Sequence, residues 1–172
     1  MSDNKKIDAD QIHILNLKTI QGNIECGADT DTSDVGAHLF SFDLDDALNT
    51  EESIVAIKLK VDIQAFNSAD EELDLKGSYT HEMIFKVDNL NDFLREKDGK
   101  KLLSAVLGST LVGIAYSTIR GIIYTRTQGT SLGTVMLPVV PPLRLMGLEK
   151  LTEEQKGAEE NESKEEKADK TS

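Results

Sequence analysis

Alternation of apolar and polar residues is sharpest in IVAIKLKVDIQAF. Val55, Ile57, Leu59, Val61, Ile63 and Ala65 fall on one face of an extended chain, and Lys58, Lys60, Asp62 and Gln64 on the other. A period of two with one wet face predicts a half-buried strand. GSYTHEMIFKV sets Tyr79, His81, Met83, Phe85 and Val87 against Ser78, Thr80, Glu82 and Lys86, with Ile84 as the one mismatch, and the polar NSADEELD predicts the turn that pairs the two strands. HLFSFDL aligns His38, Phe40, Phe42 and Leu44. In QIHILNLKTIQGNIEC the apolar phase slips at Ile14 and Leu15, as a bulge produces. Four strands joined by polar loops, wet on one face, predict an α+β fold built on an antiparallel meander whose other face needs a cover.

Leu102 to Tyr124, LLSAVLGSTLVGIAYSTIRGIIY, can supply that cover. Its uncharged run from Leu102 to Ile119 is 18 residues long but contains Ser104, Ser109, Thr110, Ser117 and Thr118, and Arg120 ends it. A membrane span needs about 20 apolar residues and tolerates a late charge poorly. No basic flank or aromatic belt marks an orientation. A membrane tether through 102–124 is therefore the alternative reading, and a buried helix the preferred one. At ~1.5 Å per residue such a helix is about 35 Å long, more than one four-stranded sheet is expected to cover. The surplus predicts a homo-oligomer, dimer or tetramer, formed through Leu103, Leu107, Leu111 and Ile114, with Gly108, Gly113 and Gly121 permitting close approach. Beyond it, Gly129 and Gly133 stop the helix, Thr134 to Leu137 extend, and Pro138, Pro141 and Pro142 stiffen an apolar connector. A second short helix is expected over about Pro142 to Lys150, with Leu143, Met146 and Leu151 on one side.

Charge removes whole classes of partner. The net charge of -12 repels phosphate backbones and anionic lipid, so neither nucleic acid nor a membrane surface is an expected partner. Residues 151–172 hold eight acidic and four basic side chains and almost nothing to bury, which predicts a disordered acidic tail. Residues 1–6 read as a flexible start without a secretory signal, and 7–150 as one domain. With 5% aromatic residues and no Trp, the core must rest on Ile, Leu and Val. The lone Cys26 suits a reducing compartment, so a cytoplasmic location is expected.

Catalytic motifs are thin. Gly129-Thr130-Ser131-Leu132-Gly133 matches GxSxG, the basis of a small serine hydrolase as a weaker alternative. A nucleophile elbow needs a strand before the serine and a helix after it, whereas here the order is reversed. His13, His38 and His81 share no ligand spacing and Cys26 has no partner, so zinc is not expected. Asp29, Asp31 and Asp34 lack the glycine and closing glutamate of a calcium loop. No phosphate-binding glycine motif occurs, so no cofactor is expected.

IHILNLKTI, VAIKLKVDIQA, THEMIFKV and above all AYSTIRGIIYTRTQGTSLGTVMLPVVPPLRLM, in this order, together resemble the SecB-like protein-export chaperones over about residues 7–150. The resemblance implies a four-stranded antiparallel sheet with a long helix, assembled as a dimer of dimers, that holds unfolded polypeptides without ATP in apolar grooves and is not an enzyme. By the same matching, Phe40, Phe42, Tyr116, Tyr124, Leu137, Val139 and Val140 are the client-binding candidates. Where export chaperones carry acids that dock the translocase motor, this chain has Thr19, Asn23 and Ser78, which speaks against that partner. The connector ends Val139-Val140-Pro141-Pro142, without the polar-aromatic pair common in the family, as in a divergent member. Some members of the wider family serve other clients, antitoxins included, and the sequence does not choose among them.

Overall fold

The computed structural model describes residues 6–97 and 99–148. The acidic tail expected over 151–172, and all but the last residue of the start expected over 1–6, lie outside the described residues. Strands β1 (Ile12–Cys26), β2 (Val35–Asn49), β3 (Ile54–Asn67) and β4 (Glu72–Val87) form a four-stranded antiparallel sheet in the order β1-β4-β3-β2. β2, β3 and β4 follow one another as hairpins, and β1 lies on the far side of β4. The β1–β2 connection therefore passes the β3–β4 turn, where it is tied down. The Gly27 N–H donates to the Asp74 carbonyl at 2.7 Å, the Thr30 hydroxyl donates to the same oxygen at 3.2 Å, and the Ser68 hydroxyl donates to Asp34. The DTDTSD aspartates are thus loop residues, Asp31 capping a single 3₁₀ turn through the Ser33 N–H.

Period-two patterning is realised as burial. Val55, Ile57, Leu59, Val61, Ile63 and Ala65 of β3 and Tyr79, His81, Met83, Phe85 and Val87 of β4 are all buried on one face. β1 slips register between Ile14 and Asn16, as its pattern predicts, and again between Thr19 and Gln21. Each bulge inserts one unpaired residue, Leu15 and then Ile20, and the odd insertion turns the following side chains to the opposite face.

Helix α1 (Ala105–Thr127) covers the buried face. It starts later than its apolar run suggests, because Leu102 and Leu103 complete a small hairpin, β5 (Leu94–Lys97) with β6 (Lys100–Leu103). The charged REKDGKK hides that hairpin's periodicity. The Ser104 N–H closes its base on the Phe93 carbonyl at 2.8 Å, and the Ser104 hydroxyl accepts from the Leu107 N–H at 3.4 Å, capping α1. Buried residues run from Leu107 to Thr127, so the helix does not outrun its sheet. At ~3.3 Å per residue, strands of 14 to 16 residues are about 50 Å long. The expected surplus of helix is absent. Leu107 and Leu111, expected at a subunit contact, are 1% and 0% exposed inside the chain's own core, and Leu103 belongs to β6.

The connector after α1 is irregular, with Val135 and Leu137 buried and Met136 exposed between them. It leads to α2 (Pro142–Leu145), a single turn instead of the helix expected to Lys150. Gly147, at φ 68°, ends it: the Leu148 N–H returns to the Leu143 carbonyl at 2.8 Å and the Gly147 N–H to that of Arg144 at 3.0 Å. Glu149, Lys150 and Leu151 lie outside the described residues. α2 also occupies the space that the α1 glycines open. A Cβ on Gly108 would lie 2.7 Å from Met146 Cε and one on Gly113 3.3 Å from Pro142 Cγ.

Candidate functional site

β2 is an edge strand, so half of its backbone N–H and C=O groups face away from the sheet. Beside it runs the Pro-rich connector, and between them lies a groove of about 430 Å³ lined by His38, Phe40, Phe42, Val139, Val140 and Leu145, among others. β2 presents its apolar side chains at every second position, which puts Phe40 and Phe42 on the α1 side with His38 and Leu44. Val139 is 82% exposed at the rim, a large apolar side chain held in solvent by prolines on both sides of the Val-Val pair. The result is a groove of mixed polar and apolar surface along an unpaired strand edge, which offers apolar side chains and free backbone groups to an extended chain.

Buried contacts keep the groove open. The Tyr116 ring on α1 meets Phe42 edge to face, centroids 5.8 Å apart, and its hydroxyl donates to the Pro138 carbonyl at 2.5 Å. Burial raises the Tyr116 phenol above its ordinary pKa, with Arg120 opposing, so the donor stays protonated at neutral pH. Leu137, 1% exposed, anchors the connector into the core just before the groove begins. At its other end the connector hangs on Thr127. That buried hydroxyl donates to the Ile123 carbonyl at 3.0 Å and accepts from the Val135 N–H at 3.1 Å. His38 Nε2 meets the Leu132 carbonyl at 3.0 Å, which ties β2 to the same segment.

Four of the seven sequence-predicted client contacts, Phe40, Phe42, Val139 and Val140, line this one groove, and Tyr116 and Leu137 form the support beneath it. Tyr124, further along α1, is not among its lining residues. Of the predicted interface residues, Ile114 is the one on α1 that is only partly buried. Sequence reasoning missed Pro138, Arg144 and Leu145 in the groove wall. The Pro141-Pro142 pair was the available signal, since proline at the first helical position fixes where the turn begins and which side chains swing back.

The wet face of the sheet carries a separate depression of about 310 Å³ that includes Asn23, Asp62, Lys76 and Ser78. Asp62 accepts from the Ser78 hydroxyl at 2.7 Å and pairs with Lys60 at 2.8 Å. Thr19 is not part of that surface. It stands opposite His81, whereas Asn23 stands opposite Ser78, so the bulge at Ile20 sends Thr19 and Asn23 to different faces. Ser131 lies in the turns after α1, between Gly129 and Gly133 at φ 73° and 71°, with no strand leading into it. Among the described residues no group of three or more His, Cys, Asp or Glu could hold a metal ion. α1 is long and apolar enough to cross a membrane by length and composition, yet its inner side is packed on the sheet.

No family model and no curated protein sequence matches the chain. Among solved structures, the SecB-like chaperone Rv1957 of Mycobacterium tuberculosis, in complex with a ChAD peptide from the Rv1956 HigA1 antitoxin, superposes with a TM-score of 0.56. The two are 13% identical over 77% of this chain and 92% of that one. A protein of unknown function from Streptococcus agalactiae gives a TM-score of 0.39 at 11% identity over 74% of this chain and 97% of that one, too low to bear on the fold. Sheet, long covering helix and short second helix, together with the first of these likenesses, give this chain a SecB-like fold.

Proposed function

We propose that this protein is an ATP-independent holding chaperone that binds unfolded or non-native polypeptide segments in the groove between β2 and the connector. The observation that carries the reading is the convergence of the apolar side chains of Phe40, Phe42, Val139 and Val140 on one groove beside a free strand edge. An unfolded chain offers both things such a groove can take, apolar side chains and unpaired backbone groups. Recognition through them is sequence-tolerant, and release requires no chemistry. The SecB-like neighbour, solved with an antitoxin peptide, supports a client-binding role and makes an antitoxin one candidate client beside preproteins. The net charge of -12 would keep a particle with open grooves dispersed.

A homo-oligomer is part of the proposal, but through different residues from those the sequence suggested. Among the large apolar side chains that are more than half exposed, Ile14, Leu15 and Ile20 of the edge strand β1 and Val106 of α1 are the ones we assign to contact with a second copy, with Leu39 of β2 and Met136 of the connector exposed elsewhere. Several weak grooves on one assembly would hold one client by avidity. The test is aggregation of a chemically denatured client, followed by light scattering without nucleotide and without detergent, beside the native mass of the protein. Suppression at near-stoichiometric protein, by a species heavier than one chain, is expected. A monomer that leaves the aggregation curve unchanged would refute the proposal. A requirement for detergent would favour the membrane tether, and ester hydrolysis abolished by Ser131→Ala would favour the hydrolase.

A further inference from the structure

We propose that His81 makes the seating of α1 on the sheet acid-sensitive, because a ring with no exposure and no hydrogen-bond partner must leave the helix–sheet contact to take up a proton. His81 is 0% exposed in the middle of β4, and neither Nδ1 nor Nε2 has a partner among the described residues. Its neighbours offer a proton no compensation. In register beside it stand Thr19 of β1 and Leu59 of β3; Tyr79 precedes it on the same face of β4. From α1 the group acting on it is Arg126, a cation, whose guanidinium reaches the β1–β4 side: a Cβ built on Gly22 would lie 3.6 Å from an Arg126 nitrogen and 3.2 Å from the Tyr79 ring.

Burial first, and the Arg126 charge second, hold His81 below its ordinary pKa. The folded chain then binds fewer protons than the unfolded one. The stability tied to this ring is fully present above the unfolded value, about 6.5, and is lost as pH falls through that value towards the folded one. Across that window one proton changes the unfolding equilibrium up to about tenfold per pH unit. The other two histidines are placed differently. His13 is exposed and meets Asp88 at 2.9 Å, and His38 meets the Leu132 carbonyl. Because α1 carries Tyr116 beneath the groove, loosening it would also open the groove floor; that consequence alone rests on the function proposed above.

The experiment compares urea unfolding of the full chain and of His81→Leu at pH 7.5, 6.5, 5.5 and 5.0. The fitted unfolding constant of the wild type should rise more steeply with acid, by up to about tenfold per unit below pH 6.5, and His81→Leu should remove that excess. Equal slopes in the two proteins would overturn the proposal. Histidine ring NMR on the folded wild type stands independently of whether the variant folds. The His81 signals should keep their neutral shifts at pH 6.5, where an ordinary imidazole is half protonated, and an ordinary titration near 6.5 in the folded protein would equally overturn it. Client binding enters neither measurement, so failure here leaves the groove reading intact, and failure of client binding leaves the acid sensitivity intact.

Discussion

Val139 and Thr127 separate binding from folding at the scale of single residues. Val139 is 82% exposed, so folding gains little from it, yet it lines the groove between β2 and the connector. Val139→Ser should change stability by less than ~0.5 kcal/mol, the usual range for surface substitutions. It should weaken capture of an unfolded client several-fold, measured by fluorescence anisotropy of a labelled, permanently unfolded polypeptide. Thr127 is the opposite case. Its hydroxyl is buried and satisfies the Val135 N–H. Thr127→Val keeps the shape and strands that N–H, so it should cost about 1–3 kcal/mol in urea unfolding. An unchanged unfolding midpoint would mean that the connector is anchored elsewhere. Exposed ion pairs such as Lys60–Asp62 invite no comparable expectation, since solvent screens them.

At the scale of elements, legibility followed burial. β3 and β4 are flanked on both sides in the sheet and covered by α1, so every inward position is apolar except His81, and their period stands out in the sequence. β2 and β1 are edges, partly wet on both faces, and their patterns are shorter than the strands themselves. The bulge at Leu15 was readable because two large apolar residues adjoin there; the one at Ile20 was not, since its polar neighbours carry no phase. Charge masked the β5–β6 hairpin, and so shifted the expected start of α1. A helix with buried residues along its length and small polar ones between them also looks the same in sequence whether a second subunit or its own sheet covers it. That ambiguity put Leu107 and Leu111 at a subunit contact when they fill the chain's own core. The position of Val139 and Val140 was easier to foresee, because an apolar run between prolines must be exposed or wedged against something, and here it lines a groove with β2.

For the molecule as a whole, one helix serves both stability and the site: α1 seals the core and props up the groove floor through Tyr116. Damage to α1 packing should therefore reach client capture, whereas changes on the wet face around Asp62 should not. The most direct measurement is site-specific photo-cross-linking of the full chain to an unfolded client, with the reactive group placed at Val139 in the groove rim or at Lys58 on the wet face. Cross-links that form at position 139, vanish with excess unlabelled client and are absent at position 58 are the predicted result. Cross-linking that is equal at the two positions, or absent at 139 while the client is demonstrably bound, would contradict the account.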